Sequence, residues 1–137
     1  MPQIILIDDE TSFHHVAKTL MKRYSFFDDL KCYTNPKTAI TDIVDAYYGS
    51  QALPGVVLLD LIMPDLSGWD FLEMFENLKG LIARDIPVFI ITASDDPDIK
   101  SRSGLFSAVK GVYYKPLTPA TLESIIAETR RSTFFGS

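Results

Sequence analysis

The sequence predicts an α/β fold: one parallel sheet of five strands with helices on both faces. Three observations point there. Short apolar runs of strand length alternate, about five times, with stretches whose apolar residues recur at helical spacing. The connections between them are short. The central run, Val56-Val57-Leu58-Leu59, has no polar alternation, as expected of a parallel strand buried on both faces.

In chain order, Ile4 to Ile7 is the first strand. Thr11 or Ser12 is placed to cap the following helix, with Asp9 and Glu10 near its positive end. Phe13, Val16, Ala17, Leu20, Met21 and Tyr24 give that helix one apolar face. His14 and His15 are adjacent and point to different parts of its surface. They make a poor metal pair and read as solvated or partly packed. Leu30 to Tyr33 is a short second strand. Asn35-Pro36 is a cap followed by proline at the first helical position, and Ala39, Ile40, Ile43, Val44 and Tyr47 line a helix ending near Gly49.

The central apolar run starts at Val56, is interrupted by Asp60, and continues through Leu61-Ile62-Met63 to a stop at Pro64, ahead of the turn Asp65 to Gly68. A third helix is expected over Trp69 to Leu78, with Gly80 to end it. Val88 to Ile91 is the fourth strand. Asp95-Asp96-Pro97 opens a short polar helix through Ser103, broken at Gly104; its few apolar residues suggest a loosely packed, mobile element. Gly111 precedes the fifth strand, Val112 to Tyr114. Thr118-Pro119 caps the last helix, whose stripe is Leu122, Ile125 and Ile126, and residues 132–137 read as a loose tail.

A chain of 137 residues is one domain of ordinary size, and 47% hydrophobic content can fill its core. No repeat, linker or surplus sequence suggests a second domain. No apolar run reaches membrane-span length, and no secretory leader pattern stands at the start. A lone cysteine, Cys32, rules out an internal disulfide framework and reads as a buried bystander. A net charge of −5 without a basic cluster argues against direct nucleic-acid binding and suits the cytoplasm.

Function is signalled by what ends the strands. The first ends in Asp8-Asp9-Glu10, the third in Asp60, the fourth in Thr92-Ala93-Ser94 and the fifth in Lys115-Pro116. Ligands of open α/β sheets bind outside the carboxyl ends of the strands. A strand-end Asp can equally be a cap or turn residue, Thr92 an ordinary strand end and Lys115 a solvated lysine. Together they form a constellation. Asp8, Asp9 and Asp60 crowd one rim, and like charges at close range need an offset. A hard divalent cation such as Mg²⁺ supplies it and draws in phosphate oxygens. A carboxylate can attack phosphorus to give an acyl phosphate. Catalysis of that transfer is largely positioning and charge stabilisation, for which Thr92 offers a hydroxyl and Lys115 a compact positive charge.

This ordered set, with Met63-Pro64 and Gly68 behind Asp60, resembles the response-regulator receiver domain, the phosphoacceptor module of two-component signalling. The resemblance spans Ile4 to about Ala127, so that 1–137 reads as a single receiver domain. It implies a flavodoxin-like doubly wound (βα)5 three-layer sandwich, similar to stand-alone chemotaxis regulators. It implies that Asp60 takes a phosphoryl group from a sensor histidine kinase or histidine phosphotransfer protein. Asp8, Asp9, Asp60 and the backbone carbonyl of Ile62 would bind Mg²⁺, Asp8 through water, while Thr92 and Lys115 hold the phosphoryl oxygens. It also implies a cis Lys115-Pro116 bond that aims the lysine inward. The module is not an enzyme beyond accepting and losing its own phosphoryl group, and it acts through a downstream protein that the residues do not name.

The chain departs from the family pattern at Val112, where Tyr or Phe is usual; Tyr113 and Tyr114 follow, and by strand parity Tyr114 shares the face of Val112. Three rival readings make different demands. A haloacid-dehalogenase-type phosphatase needs an acid where Ile62 stands. A flavin binder needs a hydroxyl- and glycine-rich loop where Asp8-Asp9-Glu10 stands. A degenerate receiver serving only as a docking scaffold would lack one or more of the five key residues, all of which are present.

Overall fold

The computed structural model describes residues 3–24, 29–82 and 84–135, with side chains as far as residue 131. The strands are β1 (Ile4–Ile7), β2 (Leu30–Tyr33), β3 (Val56–Leu59), β4 (Val88–Thr92) and β5 (Val109–Tyr114). The helices are α1 (Thr11–Met21), α2 (Pro36–Tyr48), α3 (Gly68–Ile82), α4 (Asp98–Ser103) and α5 (Pro119–Phe135). All pairings are parallel, in the order β2-β1-β3-β4-β5.

Alternation along the strands divides the core in two. Ile5, Ile7, Val57, Leu59, Val88 and Ile90 face α2, α3 and α4 through Ile43, Phe71, Phe75 and Ile99. Ile4, Leu6, Val56, Leu58, Phe89 and Ile91 face α1 and α5 through Phe13, Ala17, Leu122 and Ile125. The result is the three-layer, doubly wound sandwich with a flavodoxin-like order of strands. Its polar rim lies beyond Ile7, Leu59, Thr92 and Tyr114.

Several local expectations hold. Asn35 Oδ1 accepts from Lys37 N at 2.7 Å, with Pro36 next in the helix. Thr118 Oγ1 accepts from Thr121 N at 3.2 Å ahead of α5. Gly104 ends α4. Helix α2 does end at Gly49, but the left-handed residue of that exit is Ser50, at φ 56°. The Lys115-Pro116 bond is cis. Among the described residues no helix is long and apolar enough to cross a membrane.

Others are corrected. Thr11 is the first residue of α1, Glu10 is its N-cap, and no side chain caps it. Val16 is 49% exposed; Phe13, Ala17 and Met21 form the buried face, with Leu20 and Tyr24 partly buried against the same cluster. Strand β3 stops at Leu59, so Leu61 to Pro64 is loop and not ladder. Helix α3 runs through Gly80 to Ile82. A glycine inside a helix costs about 1 kcal/mol, and burial of Ile82 in the core outweighs that. Strand β5 begins before Gly111, at Val109, because a register shift between Val88 and Phe89 fits an extra residue opposite β4. Cys32 is only half-buried, and burial raises its thiol pKa, in keeping with an inert role. Helix α5 continues to Phe135, so the loose tail expected over 132–137 does not begin at 132, while 136–137 lie outside the described residues.

Gly68 fixes the β3–α3 loop. Its N–H donates to Leu61 O at 2.9 Å. A Cβ at this position would lie 2.3 Å from Asp60 O and 2.8 Å from Leu61 Cα, both main-chain atoms. The expectation that glycine follows Asp60 thus has a steric cause: α3 starts against the backbone of the acid. Gly68→Ala should cost about 1–3 kcal/mol of stability, read as a lower Tm in thermal denaturation by circular dichroism. An unchanged Tm would mean that the loop yields freely.

Candidate functional site

The ladder continues one step past the strands and gathers the candidate residues. Asp8 N donates to Tyr33 O at 3.0 Å, Asp60 N to Ile7 O at 2.9 Å, and Lys115 N to Thr92 O at 2.9 Å. Asp60, Thr92 and Lys115, far apart in sequence, therefore share one rim with Asp8. The side chains of Asp8, Asp9 and Asp60 present carboxylate oxygens all within 4.8 Å of one another. Asp8 is fully buried, Asp60 is 4% exposed and Asp9 is half-buried.

Lys115 closes the pocket. Its side chain is only 12% exposed, so it is not a solvated surface lysine. Its ammonium lies 2.8 Å from Asp8 Oδ2, 3.0 Å from Glu10 Oε1 and 3.9 Å from Asp60 Oδ2, and 4.5 Å above the Phe13 ring. Burial works against this charge, but Asp8 and then Glu10 outweigh it and raise its pKa. Glu10 and Phe13 as partners of Lys115 were not expected from sequence. An acid after the pair Asp8-Asp9 was visible, but its reach to a residue so distant in sequence was not.

Asp60 has the opposite balance. Desolvation raises its pKa first and the Asp8 charge second, against Lys115 and the Ile62 and Leu61 amides, and the result is about 6. Its Oδ1 accepts from Leu61 N at 2.9 Å. Thr92 is fully buried, and its hydroxyl accepts from Ser94 N at 3.1 Å. The side chain of Ile62 is 64% exposed on the loop beyond Asp60. His14, expected to be solvated or partly packed, is buried instead, with Nε2 2.6 Å from Asp8 O; His15 is exposed.

The donor set fits a hard divalent cation. It is all carboxylate oxygen, the donor type that such a cation prefers alongside water and phosphate oxygens. Asp8 Oδ2 is buried and has no hydrogen bond among the described residues. Its charge is met by the Lys115 ammonium at 2.8 Å, so this oxygen is ion-paired in the metal-free chain.

The family model described as response regulator receiver domain matches residues 4–127. A probable transcriptional regulator ycf27 of Guillardia theta is 26% identical over 139 residues, covering 96% of this chain and 46% of that protein. The chain thus spans about half the length of that curated relative. Among solved structures, a two component response regulator from Cytophaga hutchinsonii superposes with a TM-score of 0.84 at 20% identity, over 94% of this chain and 96% of that one. The Vibrio cholerae chemotaxis protein CheY4 superposes with a TM-score of 0.76 at 18% identity, over 94% and 98%. At these identities the structures speak for the fold.

The raised pKa of Asp60 has a consequence for stability. Its ordinary value is 3.8 and its folded value about 6. Between these values the folded chain holds a proton that the unfolded chain has released, so stability falls as pH rises through this window. Above about pH 6 the penalty is complete. Asp60→Asn removes it, and should raise metal-free stability at neutral pH by about 3 kcal/mol while flattening the pH dependence from 4 to 6. Urea unfolding in chelator at pH 4 and pH 7 measures both effects.

Proposed function

The chain belongs to the response regulator receiver domain family of two-component systems, and we propose that residues 4–127 form the receiver unit in which Asp60 accepts a phosphoryl group. The observation that carries this reading is the placing of a buried Asp60 beside Asp8, Asp9 and Lys115 at one sheet rim. The donor is a phosphohistidine of a sensor kinase or phosphotransfer protein. An Asp60 carboxylate oxygen forms the new P–O bond, the P–N bond breaks, and its electron pair stays with the donor imidazole, which takes up a proton. The product is an acyl phosphate, which water later hydrolyses to restore the carboxylate.

Asp8, Asp9, Asp60 and the Ile62 carbonyl would hold Mg²⁺, which when bound supplies positive charge for the phosphoryl oxygens. Lys115 gives the second positive charge and Thr92 a hydroxyl donor. In this reading the unit is no enzyme beyond turning over its own phosphoryl group, and its setting is the cytoplasm. With a net charge of −5 and no basic cluster, we assign the unit protein partners and not nucleic acid. The transcriptional role in the name of the curated relative concerns a longer protein.

The response starts at Thr92. A chain of side-chain bonds leads from it to α4: Ser94 N to Thr92 Oγ1 at 3.1 Å, Asp96 N to Ser94 Oγ at 3.2 Å, and Asp98 N to Asp96 Oδ1 at 3.0 Å. A Thr92 hydroxyl drawn to the phosphoryl group alters the first link, and residues 95–106 shift with it. Val112 is packed against the core and stays passive, and Tyr114, 45% exposed, is the ring free to follow.

Incubation with an acyl phosphate and Mg²⁺ should add one phosphoryl mass to the intact chain. Asp60→Asn or chelator should abolish it. Full labelling of the variant at the same peptide would refute the assignment. Lys115→Ala bears on the ion pairs. The structure makes Lys115 the offset for buried Asp8. Its loss should lower metal-free stability by about 3 kcal/mol, with Mg²⁺ restoring part of it, as differential scanning calorimetry with and without metal will show.

A further inference from the structure

The Asp9 carboxylate makes no hydrogen bond or ion pair among the described residues, although it lies within the cluster of acids. Its direction therefore comes from the main chain. Asp8 is held at both of its main-chain groups: its N–H, in the preceding peptide, donates to Tyr33 O, and its carbonyl, in the peptide that joins Asp8 to Asp9, is met by His14 Nε2 at 2.6 Å. The first of these is a strand ladder bond. The second is not part of any regular element.

His14 is well placed for this. It stands in the opening turns of α1, and helical side chains lean back towards the helix N-terminus, which here means over the loop Asp8 to Glu10. It is 8% exposed, between the buried Phe13 and the exposed His15. A carbonyl oxygen only accepts, so the imidazole donates, with its proton on Nε2. Glu10 N, at the N-cap of α1, donates to Asp8 Oδ1 at 2.8 Å, so the side chain of Asp8 is pinned from the cap and its carbonyl from the first turn of the helix.

We infer that His14 is a positioning residue for the divalent-cation site: its N–H on the Asp8 carbonyl holds the Asp8–Asp9 peptide in the orientation that carries the Asp9 carboxylate to Asp8 and Asp60. The inference rests on the proposed cation site and adds to it a residue that touches neither cation nor phosphoryl group. A packing role alone would require only the volume of the ring. A positioning role requires the donor. Partners that orient metal ligands through hydrogen bonds typically matter about 10–100-fold in affinity.

The test separates volume from donor. Mg²⁺ affinity is measured by titration calorimetry, and Mn²⁺ binding by electron paramagnetic resonance, on wild type, His14→Phe and His14→Gln. Metal-free melting is followed in parallel. His14→Phe fills the space without a donor and should weaken both cations about tenfold. His14→Gln keeps an N–H and should recover most of that loss. If His14→Phe does not fold, the smaller His14→Leu takes its place. A folded donor-less variant that binds as wild type overturns the inference, as does an equal loss in the Gln variant. Wild type that binds neither cation removes the proposed site and the inference together. Wild-type binding that Asp9→Asn abolishes but His14→Phe does not leaves the site standing and removes only the role of His14.

Discussion

The structure depends on holding like charges together where water is scarce. Asp8 is fully buried and Asp60 nearly so, with Asp9 beside them. Charges in such surroundings interact far more strongly than in water, and each has lost hydration. One buried cation, the Lys115 ammonium, offsets part of this, and the folded chain keeps a raised pKa at Asp60. The surrounding architecture bears that burden. The ladder bonds past the strand ends fix where Asp8, Asp60 and Lys115 leave the sheet, and Gly68 lets α3 begin against the backbone of Asp60. The two core layers supply the rigidity that keeps the acids from moving apart.

The sheet was legible because its strands are buried on both faces. Runs such as Val56 to Leu59 have no solvent side to confuse the pattern, and the polar residues that end them mark the rim. Asp8, Asp9, Asp60, Thr92 and Lys115 could thus be brought together by topology alone. What was not legible depends on tertiary context. Val16 keeps the helical period yet faces solvent, because α1 needs only a narrow stripe to cover its half of the sheet. Gly80 looked like a helix stop, but local propensity yields to the burial of Ile82. The start of β5 was hidden by an irregularity, since a register shift breaks the alternation by which strands are read. His14 was misjudged for a further reason: sequence shows its place on a helix, and not that a carbonyl lies within reach.

Helix α4 shows how a weak element can still have a defined place. Six residues cannot sustain a helix by themselves in water. The sequence accordingly suggested loose packing, but Ile99 and Ser103 are buried beneath it. On its outer side the Arg102 guanidinium lies 4.3 Å from the centre of the Trp69 ring, and Phe106 stacks on the same ring at 6.1 Å. These contacts tie α4 and the loop after it to the start of α3, which Gly68 ties to Asp60. The links through Ser94 and Asp96 tie its other end to Thr92. Helix α4 is therefore positioned from both sides of the rim by contacts that are each small and mostly polar or aromatic. Such an element can take a new position when one link is remade, at far less cost than moving a strand of the core. The partition of the fold into a sheet buried between two core layers and a short helix held from its ends follows from where the sequence puts its aliphatic residues and where it puts Ser94, Asp96 and Arg102.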